Sequence, residues 1–475
     1  MIKNKILRNL FSLSLAEVAT KGITFILNAY LARILGVEGY GIIANIVAIL
    51  AYATLVVQLG FCTIGIRSIA SKPEEKEKYV NNVIALKLII AIFAFAGIAL
   101  YAVMSNETDL VKMALLLGGL QLFGSAIQID WFFQGIERME IIGLRTVLVN
   151  LVTLIGVLIF VRQPEDIPIY MLIVSVSLIA NNFWLIAIFI KQYAKIKLQA
   201  SIAFWKELMQ QNIPLGIQTL FVTIISNFNV ICLTQICGNY DTGLFGVAFK
   251  LFMIAVLPAN IIQNTFGPQI SRAATLEERQ RVYRKVSQML LFCGALVTTV
   301  LLFYPQIFIY IIFGHKFIPA TDTLRILMAT CFISYYNYTI SPVLLMWKEE
   351  RKVMWSYGIA AVVSIAINIS LINVFGANGA ALATTGTECT LAIILSYILY
   401  KRIHHLQISM LLKFFVIAIV AGCIGKGAVL LIGMDGYYIQ IVGIVITVAI
   451  YLFLSLRSKA ITMADIRNIK ADENV

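Results

Sequence analysis

Apolar runs of about 20 residues follow one another along nearly the whole chain, each closed by a short polar or glycine-rich break. That length matches the roughly 30 Å hydrocarbon core of a bilayer crossed at about 1.5 Å per residue. A backbone amide inside hydrocarbon needs a partner within the protein, and the runs are continuous rather than alternating, so they predict helices and not barrel strands. The pattern predicts about 14 spans, near 10–34, 40–66, 83–104, 113–133, 144–161, 169–190, 214–236, 244–268, 286–310, 326–346, 355–375, 379–400, 414–432 and 439–456. The breaks hold the expected residues: Gly36-Val-Glu-Gly39, Ser71-Lys-Pro73, Gln163-Pro-Glu-Asp-Ile-Pro168, Gly238 to Gly243, Gly376-Ala-Asn-Gly379 and Gly433-Met-Asp-Gly436. The expected fold class is all-α, a polytopic membrane protein.

Composition agrees. Of 475 residues, 60% are hydrophobic and 13% charged, with a mean hydropathy of +0.90; soluble proteins carry about a quarter charged residues. A water-soluble enzyme and a nucleic-acid-binding protein are excluded. The formal charge of +13 would point to an anionic partner in a soluble protein. Here most Lys and Arg lie in the N-terminus, alternate loops and the C-terminal tail, whereas the opposite loops carry Arg33, Lys112, Arg162, Lys316 and Arg325. Basic loops stay inside, so both termini are expected to be cytoplasmic. Trp131, Trp347 and Trp355 fall at the predicted inner interface. The seven cysteines, without a CxxC or a nearby histidine, read as small buried hydrophobes. The basic start through Arg8 resembles a signal n-region, but the run after it is long, contains Glu17 and Lys21 and lacks a cleavage pattern, which predicts a retained first span.

No loop is long enough for a catalytic domain. The longest, from Lys191 to Ile213, contains a candidate surface helix from Ile202 to Met209 and divides the chain after six spans. A gapless slide of 213 residues sets Trp131 to Arg138 against Leu344 to Arg351, which aligns two Glu-Arg pairs. Two pseudo-symmetric six-helix lobes follow, residues 1–195 and 213–402, joined by a cytoplasmic linker 196–212 and followed by a C-terminal helix pair and tail, 403–475. Even-numbered repeats share one orientation and leave a cleft between them.

Walker, HExxH and GxSxG patterns are lacking, and no metal site or cofactor is expected. The candidate chemistry lies in charges placed where lipid penalises them by about 2.5–3.5 kcal/mol or more each. Glu17 and Lys21 share a face of the first span, either as a mutually neutralising pair or as an ion-coupling carboxylate beside an anion ligand. Lys250 either faces the cleft or extends outward along its stem. Lys87 and Asp130 lie near the inner face, where anchoring competes with function. Lys426 meets a lipid or another helix, and Glu388 is its counter-charge or a packing group. Amides such as Asn28, Asn227 and Asn264 suit sugar hydroxyls or helix-helix hydrogen bonds.

The strings Asn28-Ala-Tyr-Leu-Ala-Arg-Ile-Leu-Gly-Val-Glu-Gly-Tyr-Gly41, Gln58-Leu-Gly-Phe61, Gly65 to Ala70 and Trp131 to Arg138, in this order and spacing, resemble the polysaccharide (O-antigen-type, Wzx-like) flippases of the multidrug/oligosaccharidyl-lipid/polysaccharide exporter superfamily. The resemblance implies no enzymatic activity but alternating-access transport of an undecaprenyl-diphosphate-linked oligosaccharide, an O-antigen (lipopolysaccharide) or capsular repeat unit. The passenger would move from inner to outer leaflet of the bacterial plasma membrane. It implies a cationic cavity between two lobes, coupling to H+ or Na+ in antiport, and a polysaccharide polymerase and chain-length regulator as partners besides membrane lipid. Fourteen spans resemble the lipid II flippase branch. On physical grounds Lys21, Arg33 and Lys250 are the candidate diphosphate ligands, Asn28, Asn227 and Asn264 the sugar ligands, Glu17 the ion-coupling group and Lys426 part of a lipid-tail groove. A cation exporter of the same superfamily and a membrane glycosyltransferase or polymerase of the same pathway are the alternatives.

Overall fold

The structure is a computed structural model that describes residues 2–197, 200–432, 436–458 and 460; the side chains of residues 2–17, 73, 264, 268 and 432 are outside that description. The described residues form helices α1 (Ile2–Gln58), α2 (Phe61–Ser71), α3 (Lys76–Met104), α4 (Asp109–Gly119), α5 (Gln121–Ala126), α6 (Asp130–Gly135), α7 (Met139–Phe160) and α8 (Ile167–Gln192). Then follow α9 (Ile202–Arg272), α10 (Leu276–Phe303), α11 (Pro305–Phe313), α12 (Thr321–Met346), α13 (Glu350–Ile403), α14 (Ile408–Ile432) and α15 (Tyr437–Arg457). Among the described residues 11 helical stretches are long and apolar enough to cross a membrane. Three of these, of 54, 66 and 54 residues, have enough length for two crossings each.

Glycine explains those long stretches. Gly36 in α1 (φ 70°, ψ −172°), Gly238 in α9 (φ 84°, ψ −176°) and Gly376 in α13 (φ 54°, ψ −130°) each break helical geometry at a predicted boundary. The first two occupy a region of backbone space that is essentially closed to side chains. The second predicted span differs from expectation. It is interrupted at Leu59 (φ 31°) and Gly60 (φ 79°), where a Cβ would come within 2.7 Å of Leu215, and continues as α2 to Ser71.

Two compact units are present, residues Met1–Ile231 and Cys232–Val475, and α9 runs through the division. That boundary lies well beyond the expected linker at 196–212. The displacement has a local cause: the linker is fastened to the first unit. Asn81 Oδ1 accepts from the Lys197 amide at 3.0 Å, Asn82 Oδ1 from the Ser201 amide at 3.2 Å, and Trp205 Nε1 donates to the Asn82 carbonyl at 3.1 Å. Tyr79 meets Phe204 edge-on at 5.8 Å and Trp131 at 5.4 Å, within an apolar cluster that also holds Phe132, Phe133 and Phe189.

Inside the first unit α1 packs on α7 and α3, α2 on α6, and α8 on α4, α5 and α7. Inside the second, α12 packs on α10 and α13, while α14 and α15 pair with each other and with α10. Small residues allow that last approach: a Cβ at Gly422 would strike the Phe303 ring at 2.2 Å and one at Gly443 would strike Val429 at 2.3 Å. Large apolar side chains such as Phe93, Val103 and Leu144 are exposed, as expected where the surrounding solvent is hydrocarbon. Two cysteines, Cys62 and Cys423, are exposed as well, so the expectation of uniform cysteine burial is corrected. Trp131 and Trp347 are buried and donate to the Gln128 and Ile270 carbonyls, whereas Trp355 is exposed.

Each unit contains the same helix stop. After α6, Glu137 (φ 59°) donates to the Gln134 carbonyl and Arg138 to that of Phe133 at 2.8 Å; after α12, Lys348 (φ 64°) donates to Leu345 and Glu349 to Leu344 at 3.0 Å. This paired pattern is a Schellman motif with a non-glycine residue in the left-handed position. The two stops match residue for residue when Phe133 is laid on Leu344, so the gapless register expected from the Glu-Arg pairs is two residues out at this turn. Left-handed backbone at a side-chain-bearing residue costs about 1 kcal/mol. Glu137→Gly and Lys348→Gly are therefore expected to raise the melting temperature of the detergent-purified protein, and Gly36→Ala and Gly238→Ala to lower it by the equivalent of about 1–3 kcal/mol. Thermal unfolding of the four variants side by side checks the opposite signs.

Candidate functional site

The expected site residues are distributed between the two units. Lys21 and Arg33 are exposed on α1, on either side of Asn28. Asn28 is half-buried: its Nδ2 donates to the Thr24 carbonyl at 2.6 Å, and its Oδ1 accepts from the Tyr40 hydroxyl at 3.0 Å. Asn227 donates to the Thr223 carbonyl at 3.2 Å, one turn back on the same helix. Lys250 lies half-buried in the second unit. The side chains of Glu17 and Asn264 lie outside the described residues. Lys426 on α14 sits 5.5 Å from the centre of the Tyr304 ring, whose hydroxyl meets Thr447 Oγ1 at 3.0 Å. That is a cation over an aromatic face. Glu388 takes a hydrogen bond from Asn337 Nδ2 at 2.6 Å, which favours the packing reading over a counter-charge for Lys426.

A buried polar cluster of the first unit was not assembled by sequence reasoning. Asp130 opens α6, directly after the break that separates it from α5. Its Oδ1 accepts from Arg145 Nη2 at 2.7 Å and its Oδ2 from Gln128 Nε2 at 2.6 Å. Gln128 Oε1 in turn accepts from Gln58 Nε2 at 2.6 Å, and Arg145 Nη1 donates to the Asn181 carbonyl at 2.8 Å. Asp130 is 8% and Arg145 3% exposed. Lys87, on α3, is 1% exposed, with no hydrogen-bond partner for Nζ; Arg145 Nε also has none.

Local structure explains the chain of bonds. Gln58 is the last residue of α1, just before the Leu59-Gly60 turn, and Gln128 lies in the gap between α5 and α6, so each stands at an interruption of the helical ladder. Side-chain amides and a charge-assisted pair join the two interruptions. Lys87 and Asp130, for which interfacial anchoring competed with function, are enclosed in protein. A usable signal was present: Asp130 and Arg145 flank the Glu137 turn at similar distances, so a tight hairpin of α6 and α7 brings them opposite each other.

Residues 6–274, more than half of the chain, match the polysaccharide biosynthesis protein family. The chain belongs to that family. This polysaccharide biosynthesis protein is 24% identical over 399 residues to a Shigella dysenteriae protein assigned as an O-antigen transporter, covering 81% of this chain and 98% of the relative. It is 22% identical over 353 residues to the capsular polysaccharide biosynthesis protein CapF of Staphylococcus aureus, covering 72% and 87%. Its fold is similar to that of the lipid II flippase MurJ in an inward closed conformation (TM-score 0.76, 15% identity, 93% of this chain and 97% of the other). It is also similar to an inward-facing multidrug resistance MATE family transporter of the MOP superfamily (TM-score 0.64, 14% identity, 81% and 94%). The O-antigen transporter, MurJ and the MATE protein are transporters or flippases rather than enzymes, and this chain is a multi-pass membrane protein of the same fold.

A buried ion pair broken on one side leaves an uncompensated charge at a cost of about 3–5 kcal/mol. Arg145→Met is thus expected to destabilise the protein by about that amount, and Asp130→Asn/Arg145→Met by clearly less than the sum of the single changes. A double-mutant cycle read by thermal unfolding measures the coupling.

Proposed function

We propose that this protein is a flippase that carries a diphosphate-linked polyprenyl oligosaccharide, a building block of a surface polysaccharide, from the inner to the outer leaflet by alternating access. The observation that supports this most is the match along 81% of the chain to a relative assigned as an O-antigen transporter, on a fold shared with a lipid II flippase. The multidrug-transporter likeness is weaker in TM-score, and the deep-span charges of this chain are mainly basic, which suits an anionic passenger better than a cationic drug.

The chemistry required is modest. A diphosphate carries negative charge at any physiological pH, and moving it through hydrocarbon unaided costs many kcal/mol. Lys21, Arg33 and Lys250 would supply charge-assisted hydrogen bonds to it, while Asn28, Asn227 and Asn264 would solvate sugar hydroxyls. The polyprenyl tail stays in lipid, with Lys426 near its path. Two six-helix lobes with fourteen crossings, both termini cytoplasmic, and a cleft that opens to each side in turn complete this reading. Glu17, one turn from Lys21, would take up a proton as Lys21 releases the diphosphate. A surface-polysaccharide polymerase and chain-length regulator would act on the delivered product.

The test is leaflet-resolved accumulation of lipid-linked oligosaccharide in a strain lacking this chain. Accumulation in the inner leaflet, relieved by the wild-type gene, is expected; normal outer-leaflet delivery without the chain overturns the proposal. Charge-assisted hydrogen bonds contribute about 1.5–3 kcal/mol each, so Lys21→Gln and Lys250→Gln are each expected to slow delivery roughly tenfold or more, with Lys→Arg retaining most of it. Glu17→Gln is expected to remove dependence on the proton gradient, and unaltered dependence discards that role.

A further inference from the structure

Between Glu207 and Asp241 the chain has no charged residue, yet the part of α9 that follows the linker is not uniformly apolar. At 3.6 residues per turn, Gln218, Thr219, Thr223, Ser226 and Asn227 fall on one half of the helix, and Ile213, Ile217, Leu220, Phe221, Ile224 and Phe228 on the other. The polar half runs for about 14 Å, from the first turns of the predicted span to its middle. Thr219 is exposed and the other four are half-buried, so no helix of the first unit, to which all five belong, seals this face. Three of them bond to the turn below: Thr219 Oγ1 donates to the Leu215 carbonyl at 2.9 Å, Thr223 Oγ1 to that of Thr219 at 2.9 Å and Asn227 Nδ2 to that of Thr223 at 3.2 Å. Both threonine protons are thus spent on the backbone, and a row of acceptor oxygens remains, one per turn. Among the described residues the Gln218 amide and the Ser226 hydroxyl make no hydrogen bond at all. Hydrocarbon heavily penalises an unpartnered amide, so this face meets water or a polar passenger and not lipid tails.

We propose that this face of α9 is a saccharide rail, on which the glycan of the passenger exchanges its hydrogen bonds with water for bonds to Gln218, Thr219, Thr223, Ser226 and Asn227. The chemistry selects the ligand. Threonine oxygens whose protons are committed to the backbone only accept, which repels a phosphate oxygen and suits the O–H of a sugar. The Gln218 amide, the Ser226 hydroxyl and the second N–H of Asn227 supply donors to sugar oxygens. Without a charge in the stretch, neither an ammonium nor a diphosphate is compensated there. The same spacing occurs on α1, where Thr24 Oγ1 donates to the Thr20 carbonyl at 2.8 Å and Asn28 Nδ2 to that of Thr24. The two copies differ in a way that divides the passenger between them. On α1 the row has Lys21 beside it, and Asn28 Oδ1 is occupied by the Tyr40 hydroxyl. On α9 the row is uncharged, and Asn227 Oδ1 accepts from no described residue. The charged copy suits the diphosphate and the open, neutral copy the glycan. This assignment rests on the flippase reading and adds which part of the passenger α9 holds.

The experiment uses the full-length chain in a strain lacking it and has two arms. In the first, the seven native cysteines are replaced by serine or alanine and single cysteines are introduced. Thr219→Cys, Thr223→Cys and Ser226→Cys are expected to react with a water-soluble maleimide and Leu220→Cys and Ile224→Cys, on the apolar half, to stay unlabelled, because the reactive thiolate forms in water. In the second, outer-leaflet delivery of the strain's own lipid-linked oligosaccharide is measured for Gln218→Leu/Thr219→Val/Thr223→Val. Thr153→Val is the control, a buried threonine of α7 with the same bond to its own helix. Loss of three neutral hydrogen bonds is expected to slow delivery about tenfold or more, with Thr219→Ser/Thr223→Ser retaining most of it. Thermal unfolding verifies that the triple variant is folded; if it is not, Gln218→Leu alone is used, with a fall of about twofold or more expected. Absence of labelling at all three polar positions overturns the rail, and so does a fall in delivery that Thr153→Val shares, which would mean helix packing. If the wild type delivers and the folded variants keep pace with it, the rail alone falls. If the wild type itself delivers nothing, the flippase reading falls and takes the rail with it, so the two failures are distinguishable.

Discussion

The constraint that organises this molecule is the obligation of every backbone amide in hydrocarbon to find a partner inside the protein. Regular helices meet it without help. Wherever a helix stops short, another group has to take over, and the structure concentrates its polar side chains at those interruptions. Asp241 Oδ1 accepts from the Ala377 amide just past the Gly376 break, and Thr242 Oγ1 donates to the Gly238 carbonyl at the corresponding break of α9. Where α1 and α5 end, Gln58, Gln128 and Asp130 instead bond to one another through their side chains.

Much of the fold was legible because helix length and glycine placement are local properties. The breaks at Gly36, Gly238 and Gly376 were marked by residue type alone. The interruption at Gly60 was not, because Gln58 to Phe61 lies in an apolar run and the close approach of Leu215, which fixes the turn, comes from a segment some 150 residues away. The fastening of the segment after Lys191 was invisible for a related reason. Polar composition between Lys191 and Ile213 reads as a linker with a candidate surface helix, and Asn81 and Asn82, in the first turns of α3, hold it against the first unit. Side-chain amides leave no periodic signature, so this clamp is visible only in three dimensions.

Legibility was poorer for the buried charges. Depth estimated from span boundaries treats a charge near a span end as an interfacial anchor, and this is sound for a helix facing lipid. It fails for Lys87 and Asp130 because the surrounding helices and the Tyr79–Trp131 aromatic cluster close over that end of the bundle. Hydropathy reports how far along a helix a residue lies but not which neighbours cover it. Conversely, Asn28 was selected as a polar group available for a passenger, and both ends of its amide are engaged by Thr24 and Tyr40. For Asn28 to reach a sugar hydroxyl, the Tyr40 bond has to open first.

The contrast between Lys426 and Lys87 identifies where the chain tolerates a cation and where it does not. Lys426 is half-buried, has an aromatic face beneath it and lies among small residues that let α14 and α15 close on Tyr304. Its charge is met by a ring quadrupole. Among the described residues Lys87 has no such ring, and the nearest carboxylate is held by a guanidinium through a short, charge-assisted bond. Stability alone would be served better by an apolar residue at that position, since removing a surplus buried charge is generally neutral or favourable.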